Sequence, residues 1–218
     1  MAQKTLASEE LSFRPAKSMD ATFAGRMLFD SFPRKATFIL GLGDVKRAKE
    51  VLTKLFPLTD HRLSFNHAHI AMIQGRNVGI MITFPGGEIG RLNRKLYRLI
   101  LSQYTFRGKI ALFQRGLPMV FIKECASDEY FLSNIAVKVQ ARGKGLGSRM
   151  LAIVEEQAWQ AGHKKVSFRV AIDNLDAKRF YQRHYHKTKA IDLESNQRVS
   201  ALGPGYLSME KVLNETEL

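Results

Sequence analysis

Three glycines at alternating positions constrain this chain more than any other feature. In VKVQARGKGLGSRML (137–151) a strand-like apolar stretch ends, Gly143, Gly145 and Gly147 follow, and a helical pattern begins. Glycine lets the main chain turn sharply and bring its N–H groups to a ligand without a Cβ in the way. The first amides of a helix have no partner within it and stand at the positive end of the helix dipole. A turn of this kind is an anion site. Arg142, Lys144 and Arg149 add charge, and Ser148 adds a hydroxyl donor. The set reads as a cradle for a pyrophosphate; the plainer alternative is a tight turn with solvent-facing cations. The spacing fits neither common phosphate loop. A Walker A loop needs four residues between its first glycine and Gly-Lys-Ser/Thr, and the dinucleotide fingerprint is Gly-x-Gly-x-x-Gly. Here the pattern is Gly-x-Gly-x-Gly.

The flanking patterns alternate between strand and helix. Residues 11–15 read as a short strand. Residues 16–32 have helical spacing, with Phe23, Met27 and Leu28 on one side, ended by Pro33. Asp44 is a plausible N-cap for a helix through Phe56, with Val45, Ala48, Val51, Leu52 and Leu55 as its apolar stripe. Residues 66–74 and 76–84 read as paired strands. Residues 91–103 form a basic amphipathic helix, with Leu92, Leu96, Leu99 and Ile100 opposite Arg91, Arg94, Lys95 and Arg98. Residues 110–121 are ambiguous. Then come a strand at 129–139, a helix at 145–161 closed by Gly162, a strand at 166–171, a helix at 174–186 and a last strand at 206–212. Strand–helix alternation late in the chain predicts a partly parallel sheet with α/β or α+β packing. No repeat or Pro/Ser-rich linker divides the 218 residues, so a single domain over 1–218 is expected.

Charge and cysteine content narrow the class. The chain carries 34 Lys plus Arg against 20 Asp plus Glu, a net charge of +14. That suits nucleic acid, a polyphosphate-bearing small molecule, an anionic membrane surface, or solubility alone. No base-stacking motif or helix-turn-helix pattern supports nucleic acid. With Cys125 as its one cysteine, the chain has no intrachain disulfide framework, which fits a reducing compartment. No apolar run approaches the ~20 residues of a membrane span, and no signal-peptide pattern opens the chain. A cytoplasmic protein, monomeric or homodimeric, is the expectation.

The residues 142–147, Arg-Gly-Lys-Gly-Leu-Gly, resemble the acyl-CoA-binding motif Arg/Gln-x-x-Gly-x-Gly/Ala of the GNAT superfamily of N-acetyltransferases. SNIAV (133–137) is similar to the family's fourth strand. VSFRVAIDNLDAKRFYQ (166–182) is similar to its fifth strand and following helix, with Asn174, Ala177, Phe180 and Tyr181 in register. The resemblance implies the GNAT fold, a central mixed sheet of six to seven strands splayed between strands four and five and flanked by helices. It implies acetyl-CoA as acyl donor, with no metal, and an amine acceptor. The pyrophosphate would meet the amides around Arg142, Gly143, Lys144, Gly145, Leu146, Gly147 and Ser148. The pantetheine arm would lie along Ile135, Ala136 and Val137 like an added strand, with Asn174 and Ala177 beside it. Tyr181 would give a proton to the leaving thiolate as general acid.

The acceptor side is less defined. Some relatives carry a Glu on the fifth strand as base; the matching residue here is Arg169. Glu129 is the first candidate base. His67 and His69, expected on the same side of one strand, are the next; they do not make a metal site, for no third ligand stands out. The family's usual Glu-Lys-Leu-Gly-Phe after the tyrosine is replaced by Gln182-Arg-His-Tyr-His186. Residues 85–128, with the basic helix, form an insertion expected to lie near the acceptor site as a lid, whose cations would repel polyamines and favour anionic acceptors. The rival readings are a non-catalytic protein of the same fold that binds nucleic acid, a CoA-binding regulatory module, and a membrane-surface role for residues 91–103.

Overall fold

The computed structural model describes residues 11–120, 124–192 and 202–214. In chain order these form β1 (Leu11–Pro15), α1 (Ala21–Ser31), a one-turn α2 (Pro33–Lys35) running into a π-helical turn (Ala36–Leu40), α3 (Val45–Leu55), β2 (Ala68–Ile73), β3 (Arg76–Pro85), α4 (Ile89–Ser102), α5 (Phe106–Val120), β4 (Tyr130–Val137), α6 (Leu146–Gln160), β5 (Lys165–Ala171), α7 (Leu175–Tyr181), β6 (His186–Asp192) and β7 (Gly205–Val212). The strands make one seven-stranded sheet in the order β1-β2-β3-β4-β5-β7-β6. Neighbours are antiparallel except β4 and β5, which run parallel. A parallel pair requires a crossover, and α6 supplies it.

Side chains of successive strand residues point to opposite faces, so the sheet builds two cores. Ile70, Ile80, Ile82, Phe84 and Phe131 pack with α1, α3 and α4 on one face. Ala71, Met81 and Leu132 pack with Met150, Leu151 and Val154 of α6 on the other. Local chemistry fixes the helices that frame them. The Asp44 carboxylate accepts from the amides of Lys46 (2.7 Å) and Arg47 (3.2 Å), capping α3. Ala48, Val51, Leu52 and Leu55 are buried as expected, but Val45 is 46% exposed because the start of α3 stands clear of the core. At the end of α6, Gly162 takes φ +79° and His163 N–H donates to Ala158 O at 2.8 Å, a glycine-closed helix end.

Two expectations need correction, and one ambiguous stretch takes a definite form. Residues 65–67 are a 3-10 turn, and β2 begins only at Ala68. The two-residue alternation therefore does not reach His67. Its ring meets Phe84 edge-on at 5.7 Å, on one face of the sheet, whereas His69 lies beside Gln157 of α6 at 3.3 Å, on the other. Residues 106–120 are helix α5. The helix expected over 174–186 stops at Tyr181, and β6 starts at His186. The chain is turned by His184 and Tyr185 amides donating to Tyr181 O, and by Tyr185 Oη bonding Glu155 at 2.8 Å. Strand β6 pairs with β7 alone, and its HKTKAID sequence lacks the apolar alternation that marks a half-buried strand.

Candidate active site

Strands β4 and β5 pair through three registers, from Tyr130↔Val166 to Leu132↔Phe168, and then part. Beyond the fork β4 stays with β3 to Val137, and β5 stays with β7 to Ala171. A β-bulge sits at the fork: Ile82 faces Asn134 and Thr83 faces Leu132, leaving Ser133 as the extra residue. Bulges bend a strand and end pairing, and they collect beside active sites for that reason. Further along, Lys138 N–H donates to Val78 O at 2.8 Å. By alternation Ala136 also turns its main chain toward β3, so the main-chain groups of Ile135 and Val137 face the gap. Arg142 Nε donates to Val137 O at 3.1 Å and ties the loop to this edge.

The glycine turn lies at the open end of the fork. Gly143 has φ +74° and Gly145 φ +78°, and a Cβ at either would meet nothing within 4 Å. Backbone conformation, not crowding, asks for glycine there. Gly147 is different: its Cβ would stand 3.0 Å from the Phe180 ring, so glycine permits α6 to start against α7. Arg149 N–H donates to Gly145 O at 3.2 Å, so the amides of Leu146, Gly147 and Ser148 precede the first intrahelical bond.

On α7, Asn174 Oδ1 accepts from Ala177 N–H at 3.2 Å and caps the helix. Tyr181 is buried, its ring 4.4 Å from that of Phe168 and 5.1 Å from that of Phe180. Burial pushes its phenol well above the usual tyrosine range.

A single cavity of about 2050 Å³ runs from the glycine turn and α7, through the fork, into a chamber lined by α2, the π-turn, α4 and α5. Ile135, Ala136, Val137, Arg142, Gly143, Gly145, Leu146, Gly147, Ser148, Asn174, Ala177 and Tyr181 all line it. Lys144, on the exposed side of the turn, does not. Pockets for one small ligand run to roughly 1,000 Å³, so this cavity has room for two substrates. Arg94 of α4 lines the chamber, and Arg98 does not.

The chamber is organised by residues that periodicity does not mark. Arg62 Nη1 and Nη2 donate to Glu124 Oε1 and Oε2 at 2.7 and 2.9 Å, a two-pronged pair. Arg62 Nη2 also donates to Ser133 Oγ at 3.0 Å, Ser133 Oγ to Asn134 Oδ1 at 2.9 Å, and Asn134 Nδ2 to Ser31 Oγ at 3.1 Å. This chain of bonds links Arg62 to the Ser133 bulge of β4 and on to α1. Burial opposes the Glu124 charge, but Arg62 and Lys35 outweigh it and hold the carboxyl far below the usual range. Burial pulls Lys35 down, and the Glu124 charge counters only part of that. Cys125, mainly through burial, is pushed up to about 11. Arg169 stands one residue beyond the last β4–β5 pair, and its Nε is buried with no hydrogen-bond partner among the described residues. The one signal for Glu124 in the sequence is that no carboxylate lies between it and Glu88.

Neither Glu129 nor the two histidines line this cavity. Glu129 is buried and faces an adjoining recess of about 460 Å³, which shares Glu124, Cys125, Phe168 and Arg169 with the cavity. Its Oε2 accepts from Ser167 Oγ at 2.7 Å and from Ala126 N–H at 3.0 Å.

The acetyltransferase (GNAT) family model matches residues 60–185, more than half of the chain and all of the fork, turn and α7. The chain belongs to the GNAT acetyltransferase family. Solved structures share its fold. An N-acetyltransferase from Staphylococcus aureus Mu50 aligns at 18% identity over 92% of this chain and 100% of that one, with a TM-score of 0.66. A Drosophila melanogaster polyamine N-acetyltransferase that forms N-acetylagmatine aligns at 14% identity over 94% of this chain and 100% of that one, with a TM-score of 0.59. A GNAT acetyltransferase from Elizabethkingia anophelis with acetyl-CoA bound aligns at 12% identity over 93% of this chain and 98% of that one, with a TM-score of 0.50. No curated protein matches the chain by sequence. As a GNAT acetyltransferase it is an acyltransferase, and no helix among the described residues is long and apolar enough to cross a membrane.

Proposed function

We propose that the protein transfers an acetyl group from acetyl-CoA to a primary amine by direct attack in a ternary complex. One observation carries the reading: the free edge of β4 and the glycine turn of α6 open into the same cavity as the Glu124 chamber, so donor and acceptor can meet at the fork.

In this reading the amides of Leu146, Gly147 and Ser148, with Gly143, Gly145 and Arg142, hold the pyrophosphate at the positive end of α6. The Ile135 and Val137 main chain holds the pantetheine arm as an added strand, with Asn174 and Ala177 across the gap. The Ile135 N–H donates to the thioester oxygen and stabilises the charge that develops on it. Tyr181, kept neutral by burial, retains the proton that the departing sulfur needs. The amine nitrogen forms a bond to the acetyl carbon, the carbon–sulfur bond breaks, the thiolate takes up the phenolic proton, and the proton shed by the amine nitrogen passes through solvent water and restores the phenol. Glu124 is too weak a base to take the amine proton, because Arg62 and Lys35 favour its charged form so strongly. Its part is to hold Arg62 in place. Glu129 is left out of the reacting set because its carboxylate is committed to Ser167 and Ala126. Helices α4 and α5 form the acceptor wall, in keeping with an insertion that selects the acceptor.

The test is release of free thiol from acetyl-CoA with a panel of primary amines, followed across pH. Turnover that needs both substrates supports the reading. Thiol release that does not depend on any amine would overturn it.

A further inference from the structure

The charges in the chamber do not balance, and the imbalance lies at the fork. Arg62 is consumed by Glu124. Farther out, Arg34 is paired with Asp173. Lys35 and Arg169 remain, and neither has a carboxylate within ion-pair distance among the described residues. Asp30 lines the same cavity but is exposed at its margin. Arg94 adds a third cation from α4.

Arg169 is the sharper observation. Native proteins satisfy nearly all buried polar groups, because a buried donor with no acceptor loses its water without replacement. The Nε of Arg169 is such a donor. Its residue begins the arm of β5 that has parted from β4 and pairs with β7 alone, across from the Ser133 bulge. A guanidinium presents a planar fork of donors matched to carboxylate or phosphate oxygens. An anion bound there would lie next to the β4 edge on which the acetyl group is proposed to sit. Diamines bring a second positive charge to the same place, where like charges repel.

Resting on the acetyltransferase reading above, we propose that the acceptor is a small amine that also carries an anionic group, a carboxylate or a phosphate, and that Arg169 and Lys35 bind that group. The two anionic groups share one recognition chemistry, and matched acceptors separate them.

The experiment uses the full chain with β-alanine, glutamate and O-phosphoethanolamine, set against β-alaninamide, ethanolamine and putrescine. Two readouts are taken for each amine: thiol release from acetyl-CoA, and the melting shift of the acetyl-CoA-saturated protein. Anionic acceptors are expected to exceed their neutral or cationic partners in kcat/KM on the order of 100-fold, because a site built for a charged group rejects the analogue lacking it. β-alanine or glutamate ahead identifies a carboxylate; O-phosphoethanolamine ahead identifies a phosphate. R169Q and K35Q should each raise KM for the preferred acceptor about tenfold or more, with R169K recovering part of the loss, while acetyl-CoA affinity by titration stays within about threefold. Equal or better turnover and melting shift with putrescine or β-alaninamide would overturn this inference alone. Unchanged KM in both variants would do the same. Failure of the wild-type chain to bind acetyl-CoA would overturn the acetyltransferase reading and this inference with it.

Discussion

The two ends of the cavity are made of different material. The donor end is backbone: two glycines in left-handed conformation, the first amides of α6, and a strand edge bared where β4 and β5 part. The acceptor end is side chains: Arg62 locked on Glu124, Lys35 and Arg169 beside them, and α4 across. Backbone sites recognise what all users of a donor share, and they tolerate changes in neighbouring side chains. Side-chain sites recognise what is particular to one acceptor, and they fail when one partner is lost.

That contrast can be broken at either end. The largest effect belongs to the donor end. Tyr181→Phe removes the proposed proton donor and should lower kcat about 100- to 10,000-fold with little change in acetyl-CoA affinity. A kcat within threefold of wild type would reduce Tyr181 to a packing residue between Phe168 and Phe180. At the acceptor end, Glu124→Gln should cost about 3–5 kcal/mol of stability in urea unfolding, because it leaves Arg62 charged and unmatched in a buried site. The pH dependence follows from the sign of the shift. The folded carboxyl titrates below its ordinary value of 4.5, so its stabilisation is complete above that pH and is lost as pH falls through the folded value. The wild-type and Glu124→Gln melting curves should therefore converge in acid and separate at neutral pH. A constant difference at all pH values would show that the pair does not act through charge.

How much of each end was legible in the sequence follows from the same contrast. The glycine turn was legible because a left-handed backbone and an exposed helix start demand particular residues at particular spacing, all within one short stretch. The fork was legible only through the family resemblance of residues 133–137 and 166–182; nothing in residue pattern alone says that pairing stops after Leu132. The acceptor end was not legible. Its members come from residues 35, 62, 94, 124 and 169, and nothing local marks a residue that acts through a distant partner. Glu129 and the two histidines have the chemistry of a base but not the placement. One is held by Ser167, and a 3-10 turn at residues 65–67 puts the other two on opposite faces of the sheet. Strand β6 escaped because an edge strand with a polar sequence carries no apolar period.

Smaller effects sharpen the comparison. Gly143→Ala forces a side chain into φ +74° and should cost about 1–2 kcal/mol, with acetyl-CoA affinity falling in step. Loss of stability without loss of affinity would separate the turn from the ligand. Arg94→Glu and Arg98→Glu sit on the same helix but not on the same surface. Arg94 lines the chamber, so its reversal should raise acceptor KM several-fold; reversal of Arg98 should leave it unchanged. Equal effects would mean that α4 acts through its overall charge and not as a wall.

The most direct test is isothermal titration of the full chain and of Gly145→Glu with acetyl-CoA. The account predicts micromolar binding to the wild type, lost in the variant, because a carboxylate then stands at the head of α6 in a left-handed position. Equal binding by both proteins, or none by the wild type, would contradict a donor site at the glycine turn.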